Sequence, residues 1–156
     1  MMDTIGASFE LTDAYEWQPT RSIHPAYMFQ ISARDMGLFG QLFLQEGNWE
    51  GKQIIAKDWV KLTTSYHWDA KNYRGDGYGY MWWVATNENE FPYLPNCNVP
   101  KGTYSARGTG GQWIEVIPEY NMVFVNRGDT WSRQYVRTDV VGEILQKILD
   151  ARMEIL

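Results

Sequence analysis

Gly108-Thr109-Gly110-Gly111 places three glycines in four positions, immediately before Gln112-Trp113-Ile114-Glu115-Val116-Ile117-Pro118. Glycines leave the backbone uncovered by side chains, so a ligand atom or a second stretch of backbone can approach its N–H groups closely. On these residues alone the cluster reads first as a β-bulge or tight crossing with no ligand, and only second as a ligand site. Arg107, just before it, fits contact with an anionic group or a solvated charge at a strand edge. Other candidates have simpler explanations. Ser32 and Asp35 have the three-residue spacing of a helix cap, which accounts for both without a third catalytic partner. His24 and His67 carry no motif around them and read as surface or loop residues. Tyr78, Trp82, Trp83 and Trp113 could line a pocket, but rings on strands beneath a helix more often fill core.

The elements that must position the glycine cluster follow from periodicity. Trp113, Glu115 and Ile117 alternate with Ile114 and Val116, the two-residue period of a strand, and Pro118 ends its ability to donate to a ladder. Glu119-Tyr120 reads as a turn and 121–126 as a second apolar strand, so 113–126 predicts a hairpin. Tyr78 to Ala85 reads as a third strand. Ser32 to Gly47, with Met36, Phe39 and Phe43 on one stripe, predicts a helix stopped by Gly47. Ile55, Trp59 and Leu62 predict a short second helix packed beside it. Val136, Val140, Val141, Ile144, Leu145, Ile148 and Leu149 predict an amphipathic C-terminal helix across the hairpin's sheet, interrupted only by Gly142. The expected organisation is one region over 1–156: loop-rich 1–31, a helical pair over 32–64, strands within 78–126 and a helix over 133–152. Its fold class is α+β, an antiparallel sheet packed by helices.

Several function classes are disfavoured by composition. A net charge of −5 supplies no basic field, so nucleic acid is not an expected partner. Cys97 is the single cysteine and cannot form an internal disulfide, and with two widely separated histidines there is no zinc-ligand pattern, so neither metal nor cofactor is expected. No stretch approaches the apolar length of a membrane span. No compartment is indicated.

Specific words, in this order, resemble the C-terminal half of the serine β-lactamase-like family, which includes penicillin-binding proteins, class C β-lactamases, related esterases and 6-aminohexanoate-dimer hydrolases. The words are Met2-Asp3-Thr4; Ser32-Ala33-Arg34-Asp35 with Phe39-Gly40-Gln41-Leu42; Gly47 to Ile55 with Trp59-Val60; Tyr78-Gly79-Tyr80 with Trp82-Trp83; and Gly108-Thr109-Gly110-Gly111-Gln112 with Val116-Ile117-Pro118-Glu119. The resemblance implies a β-lactamase/transpeptidase-like fold, C-terminal part only, and amide or ester hydrolysis through an acyl-serine on a small-molecule substrate in the complete protein. It implies that Gly108-Thr109-Gly110 stands where the family carries Lys or His, then Ser, Thr or Gly, then Gly. Gly111 would then offer a backbone N–H to the developing oxyanion, with Gly108, Thr109, Gly110 and Gln112 beside the substrate. Gly108 departs from the family's Lys or His, which removes the cation that would meet a substrate carboxylate.

The family's Ser-x-x-Lys and Tyr-x-Asn lie before the segment that Met2-Asp3-Thr4 resembles, and neither is found in this chain. Ser8, Ser22, Ser32, Ser65, Ser105 and Ser132 are followed three positions on by Leu11, Pro25, Asp35, Trp68, Gly108 and Tyr135. Without an activated nucleophile, acyl transfer has no first step. The chain therefore reads as inactive alone, needing the missing N-terminal half as partner or else self-associating. The alternative is a non-catalytic module that grips carbohydrate or peptide on an aromatic strand face.

Overall fold

The computed structural model describes residues 31–70, 76–88, 93–108, 110–129 and 136–153. Its centre is a six-stranded antiparallel meander in which every neighbour is consecutive in the chain: β3 (Trp68–Asp69), β4 (Gly77–Tyr78), β5 (Trp83–Val84), β6 (Tyr104–Gly108), β7 (Gln112–Ile117) and β8 (Met122–Asn126). A separate two-stranded ribbon pairs β1 (Asn48–Trp49) with β2 (Lys52–Gln53), and the described residues also form the helices α1 (Ala33–Leu44), α2 (Lys57–Thr63) and α3 (Thr138–Met153).

β7 is the central strand of the core, and its alternation builds two layers. Ile114 and Val116 face a cluster with Met36 and Phe43 of α1, Val60 of α2, Trp82, Val84 and Tyr104. Trp113 and Ile117 face the opposite cluster with Val141, Leu145 and Leu149 of α3 and Tyr93, Leu94, Cys97 and Val99 of the irregular segment beneath it. The β7–β8 hairpin turns through a single 3-10 turn, Pro118–Tyr120, ended by Asn121 in the left-handed region.

Local chemistry explains the helix positions. Ser32 caps α1 by accepting from the Asp35 backbone N–H at 3.1 Å while Asp35 accepts from the Ser32 N–H at 3.3 Å, which satisfies otherwise orphaned donors. Gly40 lets α1 lie on the sheet: a Cβ there would stand 2.6 Å from Val123 Cγ1 and 2.8 Å from Ile114 Cγ2.

Three expectations need correction. The stretch from Tyr78 to Ala85 is not one strand but two, β4 and β5, folded back on each other. The Gly79 N–H donates to the Trp82 carbonyl at 2.7 Å and Met81 takes a φ of 66°, so the chain reverses where an unbroken strand was expected. In α2 the helix is present but its buried face differs: Val60 is buried, whereas Trp59 and Leu62, the expected stripe, are exposed. Val60 is the residue aimed at the Met36–Phe43–Trp82 cluster, and a seven-residue helix has room for only one such contact row. Val136 lies before α3, not within it; 133–135, the expected start of that helix, lie outside the described residues, as does the whole of 1–30. Among the described residues no helix is long and apolar enough to cross a membrane, and no group of three His, Cys, Asp or Glu could hold a metal ion.

Candidate functional site

β6 and β7 pair in unbroken register from Tyr104↔Val116 to Gly108↔Gln112, so a three-residue connection, 109–111, closes the hairpin with no bulge in the ladder. Gly108 ends β6 exposed to solvent; Gly110 and Gly111 both have a φ of 80°, a left-handed backbone that glycine adopts without steric cost. Thr109 lies outside the described residues. A Cβ at Gly111 would stand 2.8 Å from the Val136 carbonyl oxygen, so the connection is tucked against the chain that leads into α3.

Two side-chain amides hold the connection from the neighbouring strand end. Asn126 Nδ2 donates to the Gly111 carbonyl at 2.6 Å, and Gln112 Nε2 donates to the Gly128 carbonyl at 2.6 Å. Gln112 therefore spends its amide on the 126–128 segment. Gly110 and Gly111 thus bring backbone without a side chain to the end of the hairpin, and the Asn126 amide fixes the orientation of the Gly111 carbonyl.

Beside the turn lies a buried polar cluster on the α3 side of the sheet. Arg107 is neither at a solvated edge nor free to reach past Gly108. Its guanidinium sits between rings, 4.2 Å from the Tyr93 centroid, 4.3 Å from that of Trp113 and 5.5 Å from that of Trp83. Its Nε donates to Ser105 Oγ at 2.7 Å and its Nη1 to the Tyr93 carbonyl at 3.1 Å. The Tyr93 hydroxyl also donates to Ser105 Oγ, at 2.6 Å.

Glu115, the cross-strand partner of Ser105, is fully buried in this layer, and neither of its carboxylate oxygens accepts a hydrogen bond. Burial pushes its pKa up from 4.5 to about 7, against the opposing pull of the Arg107 charge and the nearby Tyr93 and Ser105 hydroxyls. The Tyr93 proton goes to Ser105 Oγ, which also accepts from Arg107 Nε, so the Ser105 hydroxyl proton is the one of the two left to turn towards the carboxylate. The Cys97 thiol is buried too and is raised to about 12, chiefly by desolvation and then by the charges of Glu115 and Asp150.

Sequence reasoning singled out Gly108 to Gln112 and Arg107 but passed over Glu115, because a glutamate in an alternating strand reads as a solvent-facing position. Its one signal was that it shares a face of β7 with the large apolar residues Trp113 and Ile117. The rings also sort differently from a simple strand face. Trp82 and Trp113 are core, whereas Trp59, Trp68 and Tyr80 are exposed and gather with His67, whose ring stacks on Tyr80 at 4.5 Å and whose Nε2 lies 2.7 Å from the Leu62 carbonyl.

No family model matches the chain. An uncharacterized protein of Alkalihalophilus pseudofirmus is 31% identical over 100 residues, 61% of this chain and 28% of that protein. A solved structure from Bacillus anthracis, provisionally named a 6-aminohexanoate-dimer hydrolase, superposes with a TM-score of 0.56 at 23% identity, covering 83% of this chain and 31% of that one. The α+β fold, a six-stranded antiparallel sheet packed against helices, matches part of a β-lactamase-like fold. Within that β-lactamase-like frame the chain spans less than a third of the length of either protein.

Proposed function

We propose that this chain is the part of a β-lactamase-like serine hydrolase that presents the oxyanion-side turn, with amide or ester hydrolysis through an acyl-serine as the activity of the complete protein. The observation that carries this is the connection after β6: left-handed Gly110 and Gly111, with the Gly111 carbonyl tied to Asn126. Gly111 offers a backbone N–H to the oxyanion, and Gly108, Thr109, Gly110 and Gln112 border the substrate. Pre-aimed N–H dipoles stabilise developing negative charge without reorganising, which is the largest contribution a backbone turn can make to acyl transfer.

Gly108 also shapes the substrate preference. With no ammonium at that position, and with Arg107 turned to the opposite face by the regular ladder, neutral amides and esters are favoured over substrates that carry a carboxylate beside the reacting carbonyl. A charge-assisted hydrogen bond contributes roughly 1.5–3 kcal/mol, so its absence is worth about one to two powers of ten in discrimination.

The chain by itself supplies no serine paired with a lysine, so homogeneous 156-residue protein is expected to turn over neither a chromogenic β-lactam nor a nitrophenyl ester above the rate of a denatured control. Turnover that survives purification and tracks the protein peak would sink the proposal. A second reading is favoured by the exposed cluster of Trp59, His67, Trp68 and Tyr80: a non-catalytic module that stacks carbohydrate or peptide on these rings. A saturable change in tryptophan emission with an oligosaccharide or peptide, lost in Trp59→Ala and Trp68→Ala, would support it.

A further inference from the structure

The buried cluster beside the turn is arranged as a two-position switch. Arg107 has one guanidinium nitrogen, Nη2, that is buried and donates to nothing, and Glu115 has two buried oxygens that accept nothing, although both side chains occupy the same layer. A buried ionised carboxylate next to a spare guanidinium donor would take it, because leaving either unpaired costs more than any rotamer adjustment. In the observed arrangement Arg107 is spent on Ser105 and the Tyr93 carbonyl, and its Nη2 remains uncommitted in the layer that holds Glu115.

We infer that Glu115 and Arg107 form a proton-linked latch that positions Gly110 and Gly111. With Glu115 protonated, Arg107 stays clamped between Tyr93 and Trp113 on its Ser105 and Tyr93 acceptors. Loss of that proton to solvent leaves a carboxylate that draws Nη2 towards β7. Arg107 is the last residue before Gly108 and pairs across the ladder with Trp113, so the shift is delivered directly to the strand ends that hold the connection. The other titratable groups facing Glu115 come from the 93–99 segment, Tyr93 and Cys97; α3 turns Val141, Leu145 and Leu149 to this layer, its Asp150 bearing on Cys97, and β8 places Phe124 as cross-strand neighbour. Burial holds the Tyr93 hydroxyl well above its ordinary range, and the thiol is raised too, so Glu115 is the group of this cluster that changes charge near neutrality. Glu115 is thus a positioning residue, and the inference stands whether or not the turn serves acyl transfer.

The test is a pH titration of the amide resonances of Gly110 and Gly111, followed together with the side-chain carboxyl carbon of Glu115. All three are expected to move with one shared midpoint near 7, a value set by Glu115. The His24→Gln, His67→Gln double variant, which carries no imidazole, is expected to leave that midpoint in place while Glu115→Gln removes it. Glycine amides that do not titrate, that follow the histidines, or that persist in Glu115→Gln would overturn the latch. Should Glu115→Gln fail to fold, the unsubstituted protein still decides: a Glu115 carboxyl midpoint different from that of the glycine amides is fatal to the inference.

Discussion

At the scale of single residues, the account turns on Glu115 and Gly111. The folded-state pKa of Glu115 is raised above its unfolded value, so the stability this residue contributes is complete below pH 4.5 and is lost as pH rises through about 7. Chemical denaturation from pH 5 to pH 8 should show this fall, up to roughly 3 kcal/mol given about 1.4 kcal/mol per unit, and Glu115→Gln should flatten it; an unchanged slope in the variant contradicts the assignment. Gly111 makes a different claim. Gly111→Ala forces a left-handed side chain at a cost of about 1–2 kcal/mol and adds a Cβ 2.8 Å from the Val136 carbonyl, whereas Gly108→Ala meets only Gln112 Cβ at 3.4 Å. The first substitution is expected to lower the melting temperature clearly and the second to leave it nearly unchanged. Equal effects would show that the connection is not held as described.

At the scale of elements, α3 offers a test in which helix propensity and packing have opposite signs. Gly142→Ala should add about 1 kcal/mol of helix propensity, but its Cβ would land 1.8 Å from the Pro95 carbonyl oxygen, so α3 must lift from the 93–99 segment. Packing wins in this account, and the variant should be less stable than the parent; a gain in stability would place α3 farther from that segment. The same element shows what the sequence made legible. The Val141, Leu145, Leu149 row announced a buried helix face, and the alternation from Trp113 to Ile117 announced the central strand, because both bury apolar residues at a regular period. β6 was hidden for the opposite reason. Its α3-side residues are Ser105 and Arg107, and only the partners Tyr93 and Glu115, remote in sequence, make them interior residues. β3 to β5 escaped because two-residue strands have no period to read, and Asp76, which looked like loop, is buried and pins the next turn by accepting from the Thr86 and Asn87 backbone N–H groups at 2.5 and 2.7 Å. The glycine cluster was legible as a site only through its resemblance to a family; its tie to Asn126 is a tertiary fact.

At the scale of the whole molecule, large apolar side chains among the described residues stand exposed on α3 and around α2. Val140, Ile144 and Ile148 form a row along α3 that is 38–41% exposed, and Trp59, Leu62, Tyr66, Trp68 and Met81 crowd the end of α2 and the sheet edge at β3. Large apolar patches are uncommon on soluble monomers, and the chain spans less than a third of the length of either similar protein. Sedimentation at rising concentration is accordingly expected to show self-association, and a clean monomer that binds no apolar dye would count against a missing partner half. The central claim concerns the turn, and the most direct measurement is an amide chemical-shift map of the chain titrated with methylphosphonate, a tetrahedral anion shaped like an acyl-transfer intermediate. The account predicts saturable movement centred on Gly110, Gly111 and Gln112; no movement there up to the solubility limit, or movement confined to Trp59, Trp68 and Tyr80, would contradict it.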